Sequence, residues 1–339
     1  MPVSLEQMRR CSVAVDLGAS RTRVYVKDTG LVVNEPTVAA VNTRTGALLA
    51  VGFLAERMTG RTPDHIQVVR PVAGGAVVNI EMAQRMLRHL VGGKLRKSWR
   101  RSPALRIAAC VPHDSEPLVQ RAIRETLSAL GARRVELADT IICAAVGSGL
   151  PVEHAEATMA VLCGAGTTQV AVLSLGAIVA AETVPVGGDS IDCAVIEHLR
   201  SRHGLLLPRQ ALGPLRLVMG DMPSRVEVHG RDVITGLART VEVDTESVRQ
   251  AVDTPLTAVL DGIRTVLRRC PPDLVADLSD RGITLAGGSA LLPGLDTTLS
   301  RATGMAVHTA DQPDTCAVRG LGAMLEGRVE PMRLDPLAS

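Results

Sequence analysis

The stretch AVLCGAGTTQVAV, residues 160–172, decides how this chain is read. Two short apolar runs flank a turn of small residues, so the segment is expected to fold as strand, tight turn, strand. Such a turn exposes consecutive backbone N–H groups, and nests of this kind bind anions. Glycine and alanine leave room for a phosphate oxygen to approach the backbone.

The same design occurs earlier in the chain. AVDLGASRTRVYV (14–26) matches it at seven of thirteen positions, pairing Ala14 with Ala160, Val15 with Val161, Gly18 with Gly164 and Ala19 with Ala165, then Thr22 with Thr168, Val24 with Val170 and Val26 with Val172. Chance similarity between two apolar hairpins is the competing reading, but seven identities favour a duplicated half-domain. The halves are expected at roughly 1–140 and 150–339, with a hinge between them.

A third Gly-rich turn, LAGGSALLPGLD (285–296), follows a strand-like run and opens into an apolar segment. Backbone at Gly287 and Gly288 would then lie near a helix N-terminus, suited to a base or a phosphate. Three such turns, two of them duplicates, point to a nucleotide cleft between two similar domains. The candidate contacts are Gly18, Ala19, Ser20, Arg21 and Thr22 in the first turn. Gly164, Ala165, Gly166 and Thr167 follow in the second, and Gly287, Gly288, Ser289 and Ala290 in the third. GGKLRKS (92–98) is not a P-loop, because no Ser or Thr follows its lysine and it comes after a helix rather than a strand.

The remaining pattern is α/β. Strands are expected over 12–17, 23–27, 105–111, 158–163, 169–175 and 282–287. In 115–130, Val119, Ala122, Ile123, Thr126, Leu127 and Leu130 fall on one helical face. Further helices are expected over 79–91, 187–202, 210–219, 247–269 and 315–326.

Bulk properties narrow the classes. The 339 residues suffice for two domains, and 46% apolar content marks a globular chain. With Tyr25, Phe53 and Trp99 as the only aromatics, a stacking platform for nucleic acid is excluded, and the formal charge of +2 does not ask for one. Seven scattered cysteines without a C-x-x-C pair read as reduced thiols, and the eight histidines show no metal-ligand spacing. No apolar leader and no long uncharged apolar run is seen, so a cytoplasmic protein is expected. Asp189 and Asp192 after VGG read as N-terminal capping and dipole residues of a helix, near the cleft.

At this point the sequence resembles the actin-like ATPases, and among them the bacterial MreB family of shape-determining filament proteins. The stretches that carry the resemblance are VDLGASRTRVYVKDTGLVVNEPTVAAV (15–41), GRTPDHIQVVRPVAGGAVVN (60–79), AAVGSGLPVEHA (144–155) and VPVGGDSIDCAVI (184–196), then RRCPPDLVADLSDRGITLAGGSALLPGLD (268–296) and DTCAVRGLGAMLE (314–326). The resemblance implies an actin-like (Hsp70/actin/hexokinase) fold with two α/β domains and four subdomains around a central cleft. The first domain would span 1–140, with a small subdomain at about 31–75, joined by a returning C-terminal helix at 315–330. The second would span 141–314, with a small subdomain at about 188–250. Also implied are ATP and magnesium as cofactors, and filaments of self or paralogous subunits. Inner-membrane shape and wall-synthesis proteins would be partners, with a position on the inner face of the membrane and no nucleic acid.

The family pattern breaks where its chemistry is concentrated. It implies a carboxylate at the end of each phosphate strand to hold hydrated magnesium. Asp16 fills the first position, and Leu162 stands at the second. The water-activating glutamate before the first connecting helix is matched by Thr140, and adjacent Asp139 would point elsewhere. In the ribose-contacting helix, GPLRLVMG (213–220), only Arg216 is charged. Arg21 replaces a small polar residue and would either pair with a phosphate or fill the site. Loss of one such catalytic group commonly costs about 10²–10⁴-fold in rate. No catalytic residue is therefore assigned, and nucleotide binding is expected to be weak or absent. The expected protein is a filament subunit with weak or lost ATP hydrolysis; the alternative is an active ATP-hydrolysing filament in which Asp139 and waters compensate. A small-molecule kinase would need an acidic base, which positions 140 and 162 do not supply.

One further signal is a run of eight basic residues from Arg85 to Arg106, with no acidic residue between Glu81 and Asp114. Trp99 lies within it, in KLRKSWRRSP. A solvated loop is one reading. The other is membrane contact, with Leu95 and Trp99 inserting shallowly while Lys97 and Arg100 meet anionic headgroups. On that reading, Trp99→Ala combined with Lys97→Ala lowers co-sedimentation with anionic liposomes by at least about fivefold, since the lysine alone contributes roughly 1 kcal/mol near the surface.

Overall fold

The computed structural model describes residues 5–92, 105–212, 215, 220 and 223–329. A short helix α1 (Leu5–Arg9) leads into the hairpin β1 (Val13–Leu17) and β2 (Arg21–Val26), extended by β3 (Gly30–Pro36). A small sheet follows, from β4 (Ala39–Asn42), β5 (Leu48–Val51) and β6 (Ile66–Val69), with helix α2 (Phe53–Met58) inserted before β6. The two-residue ribbon β7 (Val72–Ala73) and β8 (Ala76–Val77) precedes α3 (Ile80–Val91). Then β9 (Arg106–Val111), α4 (Pro117–Ser128) and β10 (Arg134–Asp139) complete the first five-stranded sheet, in the order β10-β9-β1-β2-β3.

Helix α5 (Thr140–Gly147) leads to the second copy, β11 (Thr158–Cys163), β12 (Thr168–Ser174) and β13 (Ala177–Val184), and then α6 (Gly188–His203). A second small sheet contains β14 (Leu205–Leu206), β15 (Arg225–Asp232) and β16 (Ala238–Asp244). The long helix α7 (Thr245–Arg269), α8 (Pro272–Arg281), β17 (Ile283–Ala286), α9 (Leu295–Thr303), β18 (Val307–Thr309) and α10 (Cys316–Glu326) finish the described chain. The second five-stranded sheet has the order β13-β12-β11-β17-β18. Each large sheet has an antiparallel three-strand meander followed on its other side by two parallel strands. The repeat read from 14–26 and 160–172 is therefore a repeat of topology.

Residue size explains how the sheets are covered. Side chains alternate across a strand. Val13, Val15, Val24 and Val26 face α3 and α4 in one core. Met159, Val161, Val170 and Val172 face α6 and α7 in another. On the opposite faces, Ala14, Ala108, Ala160, Ala171 and Ala286 share a third core with α5 and α10. These small residues let the two helices sit close to both sheets at once. β11 and β12 are buried at every position, as strands covered on both faces must be.

The elements expected from periodicity are present over 80–91, 117–128, 188–203, 245–269 and 316–326. The helix expected over 210–219 differs: Arg209–Leu212 forms a 3-10 turn, and most of the following segment, Arg216 included, lies outside the described residues. α8 was not expected. Its two prolines, Pro271 and Pro272, start the helix rather than prevent it, because a first-turn N–H has no intrahelical partner to lose. Among the described residues, no helix is long and apolar enough to cross a membrane.

α5 and α10 cross with their backbones in contact. A Cβ built on Gly320 would lie 1.8 Å from the Cys143 carbonyl oxygen, and one on Gly147 would lie 1.9 Å from that of Cys316. Gly320→Ala is accordingly expected to lower the unfolding free energy by about 1–3 kcal/mol, since the backbone must shift to admit the methyl group. Gly288→Ala meets nothing within 4 Å and leaves stability unchanged. Chemical denaturation of both variants checks the contrast.

Candidate functional site

A cavity of about 510 Å³ opens between the two hairpin turns. Gly18, Ala19, Ser20 and Arg21 line it from the first turn, and Gly164, Ala165, Gly166 and Thr167 from the second. Gly287, Gly288 and Ser289 form a third wall, and Asp16, Leu162 and Thr140 also reach the cavity. Two expected contacts stand behind the wall instead. Thr22 is fully buried, with its hydroxyl 2.9 Å from that of Thr37. Ala290 belongs to the core of the second half. Leu95, Lys97, Trp99 and Arg100 lie outside the described residues, as does Arg216.

The two turns are built alike. Gly18 N–H donates to the Arg21 carbonyl at 3.0 Å, and Gly164 N–H to that of Thr167 at 2.9 Å. The turns are anchored by matching hydroxyls: Thr37 donates to the Gly18 carbonyl, and Ser289 to the Gly164 carbonyl. The amides of Ala19, Ser20, Ala165 and Gly166 have no protein acceptor among the described residues. They are the donors a nest offers to an anion. Gly287, at φ +92°, is required by sterics as well as conformation, since a Cβ there would lie 2.2 Å from the Cys163 carbonyl oxygen.

Around this frame the ionic groups are arranged unevenly. In the first hairpin Asp16 stands opposite Arg23, and the equivalent pair in the second is Leu162 opposite Gln169. All four line the cavity. Arg23 Nη1 is 3.3 Å from Asp16 Oδ2, and Nη2 is 3.4 Å from Asp314 Oδ2. Burial pushes the Asp16 carboxyl above the ordinary carboxylate range, and the Arg23 charge opposes that shift. Arg21, at the cavity's edge, donates to Asn34 and stacks 4.9 Å from the centre of the Phe53 ring. Asp189 lies in the first turn of α6, where its charge suits the helix dipole, but the N-cap is Gly187; Arg209 holds Asp189 and Asp192 at 2.7 and 3.7 Å.

Arg23 and Asp314 are the site residues that sequence reasoning missed. The available signal was a charged residue within an otherwise apolar strand. Asp139 begins α5 and lies 3.5 Å from His113 Nδ1, while its neighbour Thr140 faces the cavity.

A magnesium ion beside Asp16 does not fit these groups. Magnesium takes oxygen ligands and gives up its waters reluctantly. Leu162 offers no oxygen, and Asp16 is already paired. A divalent ion about 4 Å from the guanidinium would meet a repulsion of roughly 8 kcal/mol at an effective dielectric constant of about 20. Among the described residues, no group of three or more His, Cys, Asp or Glu side chains is placed to hold a metal ion.

Paired sheets of matching topology, joined by two crossing helices over a cavity gripped by two like turns, define an actin-like ATPase fold. Residues 10–333 match the MreB/Mbl protein family, and the chain belongs to it. It is 38% identical over 323 residues to the cell shape-determining protein MreB of Escherichia coli K12, covering 93% of each chain. MreB5 of Spiroplasma citri bound to AMPPNP superposes with a TM-score of 0.84 at 26% identity, over 91% of this chain and 93% of that one. The MamK double helical filament shares the fold, with a TM-score of 0.75 at 21% identity over 93% and 98% of the two chains.

The floor ion pair predicts an asymmetric mutational effect. Arg23→Gln strands a buried carboxylate and is expected to lower stability by about 3 kcal/mol, and adding Asp16→Asn returns about half of that loss. Urea unfolding of wild type, single and double variants measures both steps.

Proposed function

We propose that this chain is a cell shape-determining cytoskeletal protein whose ATP hydrolysis is weak or lost. It assembles with copies of itself or with paralogous subunits into actin-like filaments on the inner face of the cell membrane. There it works with shape and wall-synthesis proteins. Membership of the MreB/Mbl family supports the shape-determining role, and the Escherichia coli relative, a cell shape-determining protein, agrees with it. The three small-residue turns serve as nucleotide contacts, a reading supported by the AMPPNP held by the Spiroplasma citri relative. The units are 1–140 with the returning C-terminal helix, and 141–314. Leu95, Lys97, Trp99 and Arg100 make the membrane contact.

The observation that carries the loss of hydrolysis is the pairing inside the cavity. Leu162 and Thr140 face it without acidic groups, and Asp16 is engaged by Arg23. Hydrolysis of a phosphoanhydride depends on a positioned cation and an oriented water. Among the described residues, the carboxylates lining the cavity are engaged by arginines, Asp16 and Asp314 by Arg23 and Asp189 and Asp192 by Arg209.

Purified protein is expected to release phosphate from ATP no faster than the buffer blank, yet to pellet as polymer on ultracentrifugation with AMPPNP or a paralogous subunit. Turnover that Asp16→Ala abolishes would show an active ATPase instead. Failure to pellet under every condition would remove the filament assignment.

A further inference from the structure

Arg23 is built into the floor of the cavity. It stands opposite Asp16 in strand register, and its two terminal nitrogens reach Asp16 and Asp314 at 3.3 and 3.4 Å. About a tenth of the side chain is open to solvent. Its Nε is buried with no hydrogen-bond partner among the described residues. A guanidinium is charged at every accessible pH and offers five donors in a rigid fork. Two carboxylates therefore do not exhaust it.

The cavity poses an electrostatic problem to a polyphosphate. The amides of the two turns face it, but Asp16 and Asp314 lie beneath, and Asp189 and Asp192, held by Arg209, also line it. Like charge repels a phosphate tail from such a floor unless a cation intervenes. In the second hairpin the equivalent positions are Leu162 and Gln169, which supply no compensating charge. Arg23 is the cation positioned between the floor carboxylates, and it is part of the chain itself.

We infer that Arg23 takes the place of a divalent cation, so that the cleft accepts nucleoside di- and triphosphates in their metal-free form; this rests on the nucleotide reading proposed above. The guanidinium neutralises Asp16 and Asp314 from the wall of the cavity that the phosphates would enter. Magnesium then contributes little to binding, because the position it would occupy already carries positive charge. Without Arg23, the floor carboxylates repel the free nucleotide and a metal ion becomes useful again.

Isothermal titration of the full chain with ADP and with AMPPNP, in EDTA and in millimolar magnesium, tests this. Wild-type dissociation constants in the two media are expected to agree within about threefold. Arg23→Gln is expected to bind about tenfold more weakly in EDTA, and to regain at least about fivefold on adding magnesium. A purely structural role for Arg23 would not produce that gain. Wild-type binding more than about threefold tighter with magnesium overturns the inference and leaves the nucleotide reading standing. Equal binding by wild type and a folded Arg23→Gln in EDTA also overturns it. Binding in neither medium overturns both. The wild-type comparison needs no variant, so it decides the matter even if Arg23→Gln fails to fold.

Discussion

At the crossing of α5 and α10 the two helix backbones touch, because Gly147 and Gly320 bring no side chains to the contact. Alanines on the facing sheets extend the same economy of space. Each sheet can then approach the helix pair closely, and the ends of β1 and β11 come to face one another across a common floor. The cavity is a consequence of that approach. Larger residues at the crossing would push the sheets apart and separate the two turns that line it.

Duplication gave the molecule two equivalent hairpins, and substitution made them chemically different. The turns keep the same hydrogen bonds and the same small residues, so both remain nests for an anion. The residues just beneath have diverged into an ion pair on one side and a leucine facing a glutamine on the other. Shape is set by the backbone and survives such changes. Charge resides in single side chains and does not. A cavity of this kind retains its outline while the charge on its floor changes.

Most of this was legible from the residues, for identifiable reasons. Small-residue turns between apolar runs leave a strong local signal: of the thirteen turn positions it singled out within the described residues, eleven line the cavity, while Thr22 and Ala290 stand behind its wall. Helix periodicity located α3, α4 and α7 because their apolar faces repeat over three turns or more. The hairpin β15–β16 was missed, although Val226, Val228, Val241 and Val243 alternate with polar residues, because charged side chains dominate its exposed face. Arg23 was missed for a different reason. Its partner Asp314 lies 291 residues away, and no local pattern announces a contact of that span.

The last described helix has a consequence for how the chain is made. α10 packs against β1 and β2, with Gly322 against the Tyr25 ring and the Tyr25 hydroxyl donating to Glu326 at 2.8 Å. β11 likewise pairs with β17, across more than a hundred intervening residues. Domains usually fold in the order in which they leave the ribosome, and distant pairings slow that process. Here the earliest strands stay partly uncovered until α10 has emerged. A nascent chain of this protein therefore exposes apolar sheet surface until that helix is made, the situation in which holding chaperones act.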